Sequence, residues 1–142
     1  MTTVIDQERL ILVGGCERSG TTLLAQLLDR HPLVACAPDV KFLNSAWLYH
    51  SFPRFREMLP IAVRRGMPIA GFQNFQRLFR VLDHCGLSEA EIMQWAQEAR
   101  DGREFIQRFV RHYLRIRNKQ RFAEKTPSNV YCFRDFLGMF PA

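Results

Sequence analysis

Gly15, Arg18, Ser19, Gly20, Thr21 and Thr22 fall between an apolar run and an amphipathic stretch, in "ILVGGCERSGTTLLAQLLDRHP" from Ile11 to Pro32. Gly15 and Gly20 have the spacing of the phosphate-loop pattern GxxxxGK(S/T), with Thr22 at the hydroxyl position. Thr21 stands where the phosphate-gripping lysine would be, and the nearest cation is Arg18, two residues before Gly20. The backbone N–H groups of such a loop, with the N-terminus of the helix that follows, form an anion cradle even without that lysine. The chemistry expected is the binding of a phosphate-type group approached from a different side, with Arg18 as its cation. The plainer alternative is a glycine-rich strand-to-helix turn that binds nothing. The order of strand, Arg-Ser-Gly-Thr-Thr and helix argues against it.

Such a loop needs a strand before it and a helix after it. Leu10 to Val13 is a continuous apolar run that ends at Gly14-Gly15, as a buried parallel strand does. Thr21 to Arg30 reads as a helix with Leu23, Leu24, Leu27 and Leu28 on one face, stopped by His31-Pro32. Leu33 to Ala37 is a second short strand, closed by Pro38. Residues 10–38 are therefore predicted to form a βαβ unit. Residues 43–119 are helical in pattern, with Pro53, Pro60, Gly66, Pro68, Gly71 and Gly86 as punctuation and a helical stretch from Asn74 to Cys85. Ser88 and Glu91 have capping-box spacing, and Phe105, Phe109, Tyr113 and Ile116 make one apolar stripe suited to core packing. Arg115, Arg117, Lys119 and Arg121 cluster at the end of that helix, where cations complement the helix dipole. Phe122-Ala123-Glu124 is a candidate third strand. In residues 121–142 it leads into Lys125-Thr126-Pro127 and a last helix capped by Ser128 or Asn129.

The chain of 142 residues has the length of one domain, and 47% hydrophobic residues with 12 phenylalanines supply a core. Open parallel sheets have about five strands and three are legible, so the expectation is a single α/β domain cut short before its sheet is complete. Cys16, Cys36, Cys85 and Cys132 form no CxxC pair, and the four histidines are dispersed, so neither a metal site nor a catalytic triad is expected. The N-terminal stretch resembles neither a signal peptide nor a membrane span, and a cytoplasmic protein is expected. The formal charge of +6 suits an anionic ligand. No nucleic-acid motif accompanies the basic cluster, so no nucleic-acid partner is expected.

"VGGCERSGTTLLAQLLDRHPLV" resembles the 5′-phosphosulfate loop of sulfotransferases that use 3′-phosphoadenosine 5′-phosphosulfate (PAPS), closest to the branch of tyrosylprotein sulfotransferases and their bacterial relatives. "RFAEKTPSNVYCFRDFLGMFP" resembles a second block of that branch, a Lys-x-Pro turn followed by a helix. The resemblance implies a P-loop-like parallel sheet with flanking helices and a large helical insertion. It implies that Arg18, Ser19, Gly20, Thr21 and Thr22 bind the 5′-phosphosulfate of PAPS. It places a carboxylate general base at Asp39 and a lysine that stabilises the transferring group at Lys125, with Arg18 sharing that task. The acceptor would be a hydroxyl on a peptide tyrosine, carbohydrate, lipid or small phenol. It would enter beside Asp39 and under the segment from Asn44 to Lys119, where Trp47, Tyr49, Phe52, Phe72, Phe75 and Phe79 are available for an apolar pocket. No metal is implied, and a homo-oligomer is possible in such a family.

The chain departs from these relatives in three ways. Asp39 replaces the commoner Glu, which shortens the base's reach by about 1.5 Å. Glu17 replaces the proline before the loop arginine. The strand and following residues that bind the 3′-phosphate in relatives are not present after Ala142. Plainer roles stay open: Asp39 as a turn or cap residue after Pro38, and Lys125 in a surface ion pair beside Glu124. Two rival functions stay open with them. One is a P-loop kinase or NTPase with Arg18 in place of the lysine, and the other is a non-catalytic remnant that keeps the βαβ unit.

Overall fold

The structure is a computed structural model that describes residues 6–37, 39–65 and 82–141. Pro38, Gly66, Pro68, Gly71, Phe72, Phe75, Phe79 and most of the helical stretch expected from Asn74 lie outside the described residues. In chain order the elements are β1 (Asp6–Val13), α1 (Thr21–Arg30), β2 (Val34–Ala37), α2 (Ala46–His50), α3 (Phe52–Arg65), α4 (Glu89–Glu98), α5 (Gly102–Arg117), β3 (Arg121–Lys125) and α6 (Phe133–Met139). Short 3-10 turns at Lys41–Asn44 and Pro127–Tyr131 follow β2 and β3. The chain is α/β, as expected.

Among the described residues the three strands form one parallel sheet in the order β1-β3-β2. The βαβ unit is thus split: α1 carries the chain past a gap one strand wide, and β3 fills it. Val13 lies opposite Lys125, and Ala37 opposite Glu124. The carboxyl ends of all three strands therefore meet at one edge of the sheet, where open α/β sheets place their ligands.

The side-chain alternation of strands sorts the two faces. On one, Phe122, Ala35 and Ala37 pack into the main core with Phe42, Phe55, Phe105, Phe109 and Tyr113. Edge-to-face rings link it, with Phe42 5.1 Å from Phe109 and Phe109 5.9 Å from Phe122. The expected α5 stripe is buried at Phe105, Phe109 and Tyr113, whereas Ile116 is 47% exposed. Ile116 lies one residue before the helix ends, on the side of Gly86.

The other face carries α1 over Val34, Cys36 and Ala123, with Ala25 and Leu28 packed against them. The leucine face of α1 is only partly covered: Leu23 is 61% and Leu27 57% exposed, and no residue of α1 is fully buried. Three short strands offer a platform too narrow to cover the whole apolar side of the helix.

The capping box forms as predicted, with Ser88 accepting from the Glu91 amide and Glu91 accepting from the Ser88 amide. Asp101 caps α5 by accepting from the Glu104 amide, and Asn118 ends it in the left-handed conformation. Pro60 does not punctuate. It lies inside α3, which runs through it while burying Phe52, Phe55 and Leu59 in the core. The last helix starts later than expected, because Pro127–Tyr131 forms a 3-10 turn and α6 begins at Phe133. Asn129 is buried there and its side chain turns inward instead of capping.

The basic cluster after α5 is partly structural. Arg117 Nη2 lies 2.7 Å from Asp29 Oδ2 on α1, and Lys119 Nζ donates to the carbonyl of His31 at 2.7 Å. Asp29 also accepts from the Cys36 amide at 3.0 Å, so this cluster fastens the end of α1 to β2 and α5.

Candidate functional site

The loop between β1 and α1 is built to leave donors unused. Arg18 has φ 61° and Gly20 φ 88°, so the chain twice takes the left-handed conformation before the helix starts. Gly20 is the N-cap residue and supplies no side-chain cap, and the first turn holds no acidic residue. The first N–H groups of α1 thus keep their need for an acceptor. Arg18, Ser19 and Thr22 are exposed, and Thr21 is half-buried. Ser19 Oγ donates to the carbonyl of Cys16 at 2.6 Å, which closes the loop on itself.

The start of the loop is held by the chain that follows β3. The Gly15 amide donates to Pro127 O at 3.0 Å, and the Thr126 amide donates to Val13 O at 3.2 Å. Gly14 is needed for this approach: a Cβ there would come within 2.7 Å of the Val130 amide nitrogen and 2.9 Å of the Phe133 ring. Gly15, Cys16 and Glu17 face Pro127, Ser128, Val130 and Tyr131 across an open cleft of about 550 Å³. Glu17, whose carboxylate is a poor neighbour for a bound anion, lines that cleft, and Arg18 does not.

Asp39 and Lys125 are 86 residues apart in sequence and meet here, with Lys125 Nζ 2.7 Å from Asp39 Oδ1. The Lys125 side chain is 11% exposed and that of Asp39 34%. Lys125 is the last residue of β3 and Asp39 lies two residues past β2 on the neighbouring strand, so the parallel register brings them together. The expected partner of a merely structural Lys125 was Glu124, and that pairing does not occur. Successive residues of a strand point to opposite faces, and Glu124 is fully buried on the other one.

Glu124 is the feature that sequence reading passed over. Its Oε1 accepts from the Val40 amide at 2.8 Å and from the Thr126 hydroxyl, and its Oε2 accepts from Asn129 Nδ2 at 2.6 Å. Burial pushes its carboxyl up from 4.5 to about 7, against the pull of those three donors, and the nearby Asp39 charge adds to the rise. The Thr126 hydroxyl can rotate, so it serves the carboxylate as donor and the carboxylic acid as acceptor. Asn129 Nδ2 also donates to Val13 O at 2.8 Å, and Asn129 Oδ1 accepts from Asn44 at 2.9 Å. The signal that could have found Glu124 is its place inside an apolar strand, between Ala123 and the Lys-Thr-Pro turn.

Burial also raises the thiols of Cys36 and Cys85 to about 12 and that of Cys132 to about 11. These three are inert core groups, whereas Cys16 is exposed in the loop. Of the aromatic residues expected to line an acceptor pocket, Phe52 is in the core and Trp47 and Tyr49 pack partly buried against it. Tyr49 is tied down further by its hydroxyl, which donates to Leu43 O at 2.7 Å. Among the described residues no group of three or more His, Cys, Asp or Glu is placed to hold a metal ion.

A glycine-rich loop after strand β1, a carboxylate after β2 and a lysine at the end of β3 now stand at one edge of a parallel sheet. The model of the sulfotransferase family matches residues 11–142, nearly the whole chain. The chain belongs to the sulfotransferase family. A Caenorhabditis briggsae protein named "Putative protein-tyrosine sulfotransferase" is 53% identical over 38 residues, which cover 27% of this chain and 14% of that protein. The chain thus matches only a small part of that relative's length. No solved structure gives a significant match. Among the described residues, no helix of this sulfotransferase-family chain is long and apolar enough to cross a membrane.

Proposed function

We propose that this chain carries the phosphosulfate end of a PAPS-dependent sulfotransferase site that acts on a hydroxyl acceptor. The observation that carries the reading is the Lys125–Asp39 pair, 2.7 Å apart, beside a loop whose helix start has no side-chain cap. When bound, PAPS supplies the sulfuryl group and departs as adenosine 3′,5′-bisphosphate. The N–H groups at the start of α1, the hydroxyls of Thr21 and Thr22 and the Arg18 guanidinium form the anion cradle, with Ser19 and Gly20 shaping it. Lys125 stabilises negative charge on the oxygen that leaves sulfur, and Asp39 accepts the proton of the incoming hydroxyl. Sulfuryl transfer resembles phosphoryl transfer, in which positioning and charge stabilisation do most of the work.

The pairing of Lys125 with Asp39 supports both roles, since it keeps a cation and a proton acceptor within hydrogen-bond distance of each other. Tyrosine is among the acceptor hydroxyls to test first, given the named relative, beside carbohydrate, lipid and small phenols. The free, buried cysteines fit a reducing compartment such as the cytoplasm.

The test is a calorimetric titration with adenosine 3′,5′-bisphosphate, with ATP–Mg²⁺ run alongside. Saturable binding of the bisphosphate, weakened about tenfold or more by Arg18→Ala, is the expected result. Tighter binding of ATP–Mg²⁺ would move the assignment to a kinase or NTPase. Binding of neither would count against a working donor site in this chain.

A further inference from the structure

We propose that Glu124 is the positioning residue of this site, a single buried carboxyl that ties together the chain segments bearing Arg18, Asp39 and Lys125. The inference rests on the sulfotransferase reading of those three residues and adds to it the group that sets their relative places. Glu124 precedes Lys125 on β3 and points to the opposite face, so it fixes the strand from beneath while the lysine works above. Its Oε1 holds the Val40 amide at 2.8 Å, the residue next to Asp39. Its Oε2 holds Asn129 Nδ2 at 2.6 Å, and the same amide nitrogen holds Val13 O at 2.8 Å, the last residue of β1 before the loop. This side chain on β3 therefore links the ends of all three strands, directly to the segment after β2 and through Asn129 to β1.

The chemistry of these contacts selects a carboxyl group. The Val40 amide is a fixed donor. The Asn129 amide is fixed as a donor by its other bonds, because Val13 O needs its nitrogen and Asn44 Nδ2 needs its oxygen. A glutamine has one accepting and one donating end, so it satisfies one of the two and opposes the other. A carboxyl accepts at both. Burying it is costly, which is unexpected for a residue that only fills space among Phe122, Ala37 and Leu12. The charged and titratable groups around it include Lys125 and Asp39 at the strand ends, Cys36 on β2, and Tyr49, Cys85 and Cys132 from the packed elements.

The experiment compares Glu124→Ala, Glu124→Gln and Asn129→Ala in the full chain. It measures melting temperature, affinity for adenosine 3′,5′-bisphosphate, kcat with PAPS and a phenol per folded molecule, and hydrogen exchange at the Val40 amide. Glu124→Ala is expected to lower kcat about 100-fold, the scale of a displacement near 1 Å, with faster exchange at Val40. Glu124→Gln is expected to keep the Val40 bond and most of kcat. It should weaken the bisphosphate about tenfold by pushing Asn129 from Val13, and Asn129→Ala should reproduce that loss. This split between kcat and affinity is one that a general loss of stability cannot make.

Unchanged kcat and affinity per folded molecule in Glu124→Ala would overturn the proposal. If that variant does not fold, Glu124→Gln decides: unchanged affinity there overturns it, and weakened affinity with kcat kept supports it. If the wild-type chain neither binds the bisphosphate nor transfers sulfate, the sulfotransferase reading falls first. The positioning role is then judged on exchange alone. Val40 protection lost in Glu124→Ala but kept in Glu124→Gln supports it, and the same protection in all chains overturns it.

Discussion

On one face of the sheet α5 buries Phe105, Phe109 and Tyr113 against Phe42 and Phe122, while on the other α1 packs Ala25 and Leu28 only partly buried and leaves Leu23 and Leu27 more than half exposed. Both helices are amphipathic, and both follow or precede a strand of the same sheet. They differ in what the fold sets opposite them. The α5 face shares its core with Phe42, Leu48, Phe55 and Leu82, which come from four further segments. Among the described residues the apolar side of α1 packs on the short sheet, at Val34, Cys36 and Ala123, and its first turn follows the loop. Stability and the proposed binding are thus divided between the two sides: the aromatic core holds the sheet, and the sheet holds out the loop.

That division can be broken by substitution. The largest effect is expected from Phe109→Ala, which removes a ring that touches both Phe42 and Phe122. It should cost about 3–5 kcal/mol in urea unfolding, and a loss below 1 kcal/mol would show that the core does not depend on this side. Next, Lys125→Ala should lower kcat about 10²–10³-fold, the cost of losing a donor to developing charge, while the melting temperature moves little. Equal losses of activity and stability would mean that its bond to Asp39 is structural.

Glu124 sharpens the comparison through pH. Its carboxyl releases its proton near 4.5 in the unfolded chain and near 7 in the folded one. Between those values the folded state binds more protons, so this group's contribution to stability falls as pH rises from about 4.5 through 7. The whole change is about 3 kcal/mol. The stability of the wild-type chain relative to Glu124→Gln should therefore decline across that window and stay level above pH 8, as read by urea unfolding. A difference that does not vary with pH would rule out the raised value. The smallest effect is expected from Leu27→Ala, below about 0.5 kcal/mol. A loss of 2 kcal/mol or more would show that its face is covered in solution.

The loop was the most legible part of the chain, since glycine spacing, the hydroxyl pair and the helix that follows are local features. The capping box at Ser88 and the strand before Lys125 were legible for the same reason. The split of the βαβ unit was not, because nothing in residues 10–38 indicates that a strand from residue 121 onward will slip between β1 and β2. Pro60 was misread as punctuation, since the burial of Phe52, Phe55 and Leu59 that keeps α3 continuous is a tertiary matter. Asp39 and Lys125 were named separately, by resemblance, and the register of β2 with β3 is what makes them neighbours.

The sequence by itself determined the loop, its missing lysine, the strand and helix on either side and the apolar stripe of α5, because each depends on residues within a few turns of one another. Only the tertiary structure decided that Lys125 pairs with Asp39 and not with Glu124, and that Glu124 is buried among donors from the segments after β2 and β3. Those outcomes depend on which strand lies beside which and on which face each side chain points to. Strand order and register are set by packing across the whole domain, at separations of more than 80 residues, where no local pattern reaches.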